Sequence, residues 1–379
     1  MLNQKIVSFI RETFNSQKFI PLHEPKFIGS EKKYILDAID STFVSSVGAY
    51  VDKFELLIQN ISKTKKAIAV VNGTSALQVA LRLSGVKSGD EVLTQALTFI
   101  ATINAIIYNG ASPVFLDVDI DSMGLSPKSV EAFLGEFGEL RDGVCYNKRT
   151  GKRISACMPM HTFGFPVHLD ELLIICDKWN IPIIEDAAES IGSEYKNKPT
   201  GSFGKLGIYS LNGNKIVTSG GGGVIMTNNE DLGNIAKHLT TTAKIPHPYE
   251  YVHDEVGYNF RMPNLNAALA CAQLEQLDYF IENKRDLAVK YKNYFDKIGI
   301  NFRTELNGTK ANYWLMCIEL ENKKDRDAFL NDTNNSKIMT RPIWQLIFKS
   351  PKYDHYQKDS QSNAIYLEER IVNIPSSVR

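Results

Sequence analysis

The chain has no excess charge of either sign: in 379 residues, Lys and Arg number 43 and Asp and Glu number 43. A surface that grips a polyanion concentrates basic residues, so no polymeric nucleic-acid partner is expected. Cysteine is scarce. Cys145, Cys157, Cys176, Cys271 and Cys317 are odd in number and scattered, with no C-x-x-C pair. They give no sign of a disulfide framework or of a zinc site, and no metal is expected. Several lie in apolar runs, as small core residues of a reducing compartment do. No run of about 18 apolar residues occurs, so no membrane span is expected. The opening MLNQKIVSFIRETFNSQK is amphipathic and charged, without a signal-peptide apolar core. A cytoplasmic location is the expectation. Two nucleotide motifs are missing as well. The absence of G-x-x-x-x-G-K-[ST] and of G-x-G-x-x-G disfavours a P-loop or dinucleotide fold.

The chain does contain an alternation of short apolar runs with helical patterns. Ala67–Val71, Glu91–Thr94, Pro113–Val118, Ile154–Met160, Ile181–Ala188 and Gly207–Ser210 read as buried strands. Helical patterns cover Ser75–Ser84, Ala101–Asn109 and Leu169–Trp179. Strand–helix–strand repetition implies right-handed crossovers and an α/β fold with a mainly parallel sheet covered on both faces. The segment Gly138–Arg153 interrupts the rhythm, and its Asn147–Gly151 stretch suggests an inserted polar hairpin. The texture changes after Gly257. A helical pattern from Leu265 through Leu277 runs on towards Lys297, and Tyr313–Leu320 and Lys337–Trp344 read as strands among helices. The expected division is a large α/β domain over residues 1–255, including the N-terminal segment, and a smaller α+β domain over residues 256–379.

Ligands of open α/β sheets gather at the carboxyl ends of the strands, and several features fall there. Asn72-Gly73-Thr74-Ser75 follows the first buried strand and opens a helix. It suits a phosphate, and equally an ordinary helix cap. Asp186 ends an apolar strand, where an unpaired carboxylate is costly. An aromatic nitrogen cation would satisfy it, with Ala187 and Ala188 leaving room for a flat ring; a capping or metal-ligating role is the alternative. Phe99 suits stacking on such a ring or packing in the core. Lys215 lies between the strand Gly207–Ser210 and the glycine run Gly220–Gly223. Glycine lets backbone approach a cofactor closely, and partial desolvation would free the lysine amine of its proton to act as a Schiff-base nucleophile.

Taken together, NGTSALQVAL, TFIATINAI, EDAAESIGS, YSLNGNKIVTSGGGG and GYNFRMPNLNAALACAQLEQL resemble, in order and spacing, the DegT/DnrJ/EryC1/StrS family of sugar aminotransferases dependent on pyridoxal 5'-phosphate (PLP). The resemblance extends from FVSSVG near residue 43 to LEERIVNIPSS at the end. It implies a type I, aspartate-aminotransferase-like fold with a mainly parallel seven-stranded sheet in the large domain. It also implies that Lys215 carries PLP as a Schiff base and that Asp186 pairs with the pyridinium nitrogen. Thr74, Ser75 and Ser210 would hold the phosphate, and Phe99 would stack on the ring. Asn259 would reach the phosphate of the neighbouring subunit in a homodimer. Glu189 stands where many members have His or Gln near the phenolic oxygen, and a glutamate there resembles the bacillosamine- and legionaminate-type members. Members that are dehydratases have histidine in place of the lysine, so Lys215 favours transamination.

The implied reaction has two halves: an amino acid, L-glutamate by resemblance, leaves its amine on the cofactor, and a keto sugar attached to a nucleotide accepts it. TRPIWQLIFKSPKY, IPLHEP and the Gly138–Arg153 insertion resemble members that aminate C4 of a 4-keto-6-deoxy-N-acetylglucosamine nucleotide, usually UDP-linked, on the legionaminic acid route. Arg341 and His23 are candidates to touch the diphosphate or sugar, and each also suits a solvated or capping role. His161, in MHTFG, is expected to support the loop near the site. Amination at C3 and a catalytically idle PLP-binding regulator are the alternatives.

Overall fold

The computed structural model describes residues 2–379. Seven strands build the main sheet: β1 (Lys66–Val70), β2 (Glu91–Gln95), β3 (Ser112–Leu116), β4 (Ile154–Met158), β5 (Ile184–Asp186), β6 (Leu206–Ser210) and β7 (Gly223–Thr227). Their order is β3-β2-β4-β5-β6-β7-β1. The β4–β5 join is made by parallel bridges at Cys157–Ile183 and Met160–Asp186. Only β7 runs against the others. The strands are buried almost throughout, as near-continuous apolar runs under helices must be. The seventh strand, GVIMT, follows directly on the glycine run and was not among the strands read from the sequence.

Helices α1 (Leu2–Phe14), α2 (Glu31–Asp40) and α3 (Ala49–Ser62) precede the sheet, and α4 (Gly73–Leu83) and α5 (Ile100–Tyr108) follow β1 and β2. Before β4 comes a hairpin, Gly138–Arg141 with Val144–Asn147. Its turn is Asp142-Gly143, with φ of 50° and 78°, the left-handed pair that a tight hairpin requires. The Asn147–Gly151 stretch forms a second turn directly after it, closed by Gly151 N–H to Asn147 O at 2.7 Å.

After β7 the chain continues through α6 (Glu230–Thr240), α7 (Asn264–Leu274), α8 (Leu277–Lys297) and α9 (Lys323–Asn335). A second, antiparallel sheet contains β8 (Asn301–Phe302), β9 (Met316–Glu319), β10 (Arg341–Pro342) and β11 (Ile371–Ile374), in the order β8-β9-β11-β10. The strand expected over Lys337–Trp344 is reduced to two ladder residues at this edge, because Pro342 has no N–H to extend it. The small-residue helix α7 lies against α2 and α3, while α1 lies against α9 and Ile20 bridges to Ile338. The C-terminal layer therefore includes the first residues of the chain.

Candidate active site

The parallel strands deliver their carboxyl ends to one cavity of about 210 Å³, whose walls include Thr74, Phe99, Asp186, Glu189, Ser210 and Lys215. Six of the residues picked out in the sequence thus converge although they come from four separate segments. At the start of α4, the Asn72 side chain accepts the Ser75 N–H at 2.8 Å, leaving the first N–H groups of the helix directed outwards. A Cβ on Gly73 would lie 2.9 Å from the Ser210 Cβ. Glycine here therefore lets the helix start press against the end of β6, which brings Thr74 and Ser210 to one end of the cavity. Hydroxyls at a helix N-terminus form an anion site. Ser75 itself is buried and does not line the cavity.

Asp186 is 2 % exposed. It accepts the Thr102 hydroxyl at 2.7 Å and the Ala188 N–H at 3.2 Å. Burial raises its pKa, and Thr102, Ala188 and the Lys215 charge offset this only in part. Such a carboxylate is suited to a cationic partner. Thr102 was not singled out in the sequence; it lies one helical turn beyond Phe99, a spacing that could have revealed it. Phe99 is 50 % exposed, so its ring forms a wall of the cavity and is not a core residue. Trp344, from the RPIW motif, approaches Phe99 with 6.5 Å between ring centroids.

The Lys215 Nζ lies 3.0 Å from Glu189 Oε1 and 3.8 Å from the centre of the Trp314 ring. The sequence suggested a lysine freed by desolvation; the structure gives it a buried carboxylate as partner. Trp314 Nε1–H donates to Asn214 O at 2.7 Å, tying the lysine loop to the C-terminal layer. Glu189 Oε2 accepts the Phe163 N–H at 2.9 Å. Burial raises the pKa of Glu189, with Lys215 pulling it down and Asp186 pushing it up.

His161 is fully buried, with Nε2 3.1 Å from Glu185 and Nδ1 accepting the Val167 N–H at 3.3 Å. That arrangement assigns the proton to Nε2 and gives the ring a supporting role. His23 does not line the cavity. Its ring nitrogens are buried without partners, and burial, then Lys284 and Lys215, lower its pKa. Arg341 is exposed on the edge strand β10, away from the cavity lining. Asn259 is also exposed, accepts Arg261 Nε–H at 3.0 Å and lies outside the cavity lining of its own chain. Elsewhere, Asp119, Asp121 and His168 place three potential metal-ligating atoms within 4.8 Å of one another. They do not line this cavity.

The geometry fits PLP: an anion end at Thr74 and Ser210, an aromatic wall at Phe99, a buried carboxylate at Asp186 and an amine at Lys215. A family model described as the DegT/DnrJ/EryC1/StrS aminotransferase family matches residues 26–379. The chain is 36% identical over 364 residues to the putative pyridoxal phosphate-dependent aminotransferase EpsN of Bacillus subtilis, covering 95% of this chain and 91% of that one. It is 34% identical to the GDP-perosamine synthase of Escherichia coli O157:H7, covering 95% and 93%. Among solved structures, an aminotransferase from Psychrobacter cryohalolentis superposes with a TM-score of 0.84 at 25% identity, covering 94% and 93%.

Proposed function

We propose a nucleotide-linked keto sugar as the amine acceptor of this chain, which belongs to the DegT/DnrJ/EryC1/StrS aminotransferase family and is a PLP-dependent aminotransferase. The observation that carries the reading is the convergence of Lys215, Asp186, Thr74 and Ser210 on one cavity. When bound, PLP supplies an electron sink for moving a proton between substrate carbon and cofactor carbon. Lys215, whose amine lines the cavity, would carry that proton. With PLP bound, Asp186 would favour the protonated ring nitrogen, Thr74 and Ser210 would hold the phosphate, and Phe99 would flank the ring.

L-glutamate is the proposed amino donor. The proposed acceptor is UDP-4-keto-6-deoxy-N-acetylglucosamine, aminated at C4 for a legionaminic acid or bacillosamine-type surface glycan. Support comes from the RPIW motif, whose Trp344 lies 6.5 Å, ring centre to ring centre, from the cavity-lining Phe99. A GDP-linked acceptor is the second reading, favoured by relatives named GDP-perosamine synthase. Incubation with L-glutamate and a panel of nucleotide keto sugars, with the amine position of the product read by NMR, decides between them. No amination of any sugar would defeat the proposal.

The proposed active form is a cytoplasmic homodimer in which Asn259 completes the neighbour's phosphate site. Its exposure away from its own cavity supports this. Leu36, Phe43, Val47, Tyr249 and Tyr251 are exposed apolar side chains, surface that such an interface would cover. Val47 and the segment Pro246–Pro248 line one surface cleft together with Arg261. Among the described residues no helix is long and apolar enough to cross a membrane.

A further inference from the structure

We propose that Trp314 is the positioning residue of Lys215: its ring holds the amine when that amine is not bonded to the cofactor, and Asn312 sets the ring in place. The inference rests on the PLP aminotransferase reading of the cavity. A single lysine must serve twice in that reaction, as the anchor of the cofactor and, once displaced, as the carrier of a proton. Between the two tasks its long stem is free to swing, so the rate depends on where the amine rests. Trp314 is buried and touches the lysine loop at both ends of Lys215. Its ring centre lies 3.8 Å from Nζ. Its Nε1–H donates at 2.7 Å to the carbonyl of Asn214, the residue before the lysine. Backbone and tip are thus held by one rigid group. While it carries the proton the amine is an ammonium, the form that an aromatic face attracts. The ring has no lone pair with which to take that proton away. The proton taken up at Nζ is therefore the one it delivers, and Trp314 neither gains nor loses one.

The ring is aimed by an unusual turn. Tyr313 has a φ of 50°, a left-handed value uncommon for a residue with a side chain. Asn312 pins the turn, its Oδ1 accepting the Trp314 N–H at 2.8 Å. Asn312 is fully buried, and its Nδ2 donates to Glu189 O and Ile191 O, both at 2.9 Å. Its own N–H donates to Ser193 Oγ at 3.0 Å, and that hydroxyl donates to Gly164 O at 2.7 Å. A Cβ on Gly164 would collide with Asn312 Oδ1, so glycine is what lets the loop after β4 lie this close. Every polar group of the Asn312 side chain is engaged, on the loop after β5 and on the Trp314 backbone. A strained conformation fixed by so many bonds points to a side chain whose direction matters. A tryptophan that only filled space would need neither the turn nor the bond to the lysine loop.

The test has two arms. PLP-loaded protein is mixed in a stopped-flow instrument with L-glutamate, either protiated or deuterated at C2, and the loss of the cofactor's visible absorbance is followed. Trp314→Leu should react roughly tenfold more slowly than wild type, the scale of a lost cation–aromatic contact. It should also show a larger deuterium effect, because proton transfer becomes the slow step. Trp314→Phe, which keeps an aromatic face, should fall between the two. Asn312→Ala should shift rate and deuterium effect in the same direction as Trp314→Leu. A wild-type rate for Trp314→Leu, or a slower rate with an unchanged deuterium effect, would overturn the proposal.

The second arm uses protein free of PLP. The melting-temperature changes of Trp314→Leu, Lys215→Met and the double variant should be non-additive, since each single change removes one half of the same contact. Additive changes would equally overturn the proposal. Failure of the donor reading would look different: L-glutamate would leave the wild-type absorbance untouched while the melting temperatures still reported the contact.

Discussion

Two neighbouring carboxylates on β5 share the same depth of burial and meet different fates. Successive strand residues point to opposite faces. On one face, Glu185 accepts the N–H groups of Gly201, Phe203 and Gly204 at 2.8, 2.6 and 2.8 Å, and pairs with His161 at 3.1 Å. Burial alone would raise its pKa, but His161 and the backbone donors outweigh burial and hold it below the usual value. On the other face, Asp186 has only Thr102 and Ala188 as donors, and burial prevails. The satisfied carboxylate is structural. The under-satisfied one faces the cavity and keeps acceptor capacity for a cation.

The largest expected effect breaks the cavity side outright. Lys215→Ala should abolish turnover with its circular dichroism unchanged; residual wild-type activity would remove the lysine from the chemistry.

Asp186→Asn should fold and lose roughly a hundredfold or more in rate, about 3 kcal/mol in barrier, as expected when an electrostatic partner of the transition state is removed. Its stability should move the other way. Because the folded-state pKa of Asp186 is raised, its contribution is fully present below the unfolded pKa and is lost as pH rises through the folded one. The apoprotein of Asp186→Asn should therefore unfold at or above the wild-type temperature near neutral pH. That advantage should fade as the solution is acidified. Thr102 can adapt by turning its hydroxyl towards Thr98, 2.8 Å away.

Glu185→Gln should invert the pattern. Its amide would face backbone donors, costing about 2 kcal/mol or more of stability and leaving the rate per folded molecule within a few fold. Here the folded-state pKa is lowered, so the stabilisation exists above the unfolded pKa and is lost as pH falls through the folded one. The thermal deficit of Glu185→Gln should accordingly shrink in acid. A rate loss as large as that of Asp186→Asn would mean that the two faces of β5 are not functionally distinct.

The smallest expected effect concerns the partner subunit. Asn259→Asp should weaken PLP retention by setting a charge near the phosphate. Mixing Lys215→Ala and Asn259→Asp chains should restore part of the activity, because heterodimers would contain one site with both native residues. No recovery despite demonstrated subunit exchange would argue against a shared site.

Much of the cavity could be read from the sequence because strand ends announce themselves: an apolar run followed by Asn72-Gly73, by Asp186, or by Ser210 with Lys215 beyond it. Thr102 was accessible to helical spacing. Trp314 and Trp344 were not, since their positions depend on docking of the C-terminal layer against the lysine loop and Phe99. The partnership of Lys215 with Glu189 was hidden for the same reason, as residues 26 positions apart meet only once β5 and β6 lie side by side. The packing of the alanine-rich surface of helix α7 onto α2 and α3 was equally hidden, because a change in sequence texture marks composition and not contacts.

The central claim is that Lys215 is the residue that bonds to PLP. Borohydride reduction of the PLP-loaded protein, followed by peptide mass spectrometry, tests it directly. The account predicts one phosphopyridoxyl group per chain, on the peptide containing Lys215. The same group on another lysine, or none after loading, would contradict it.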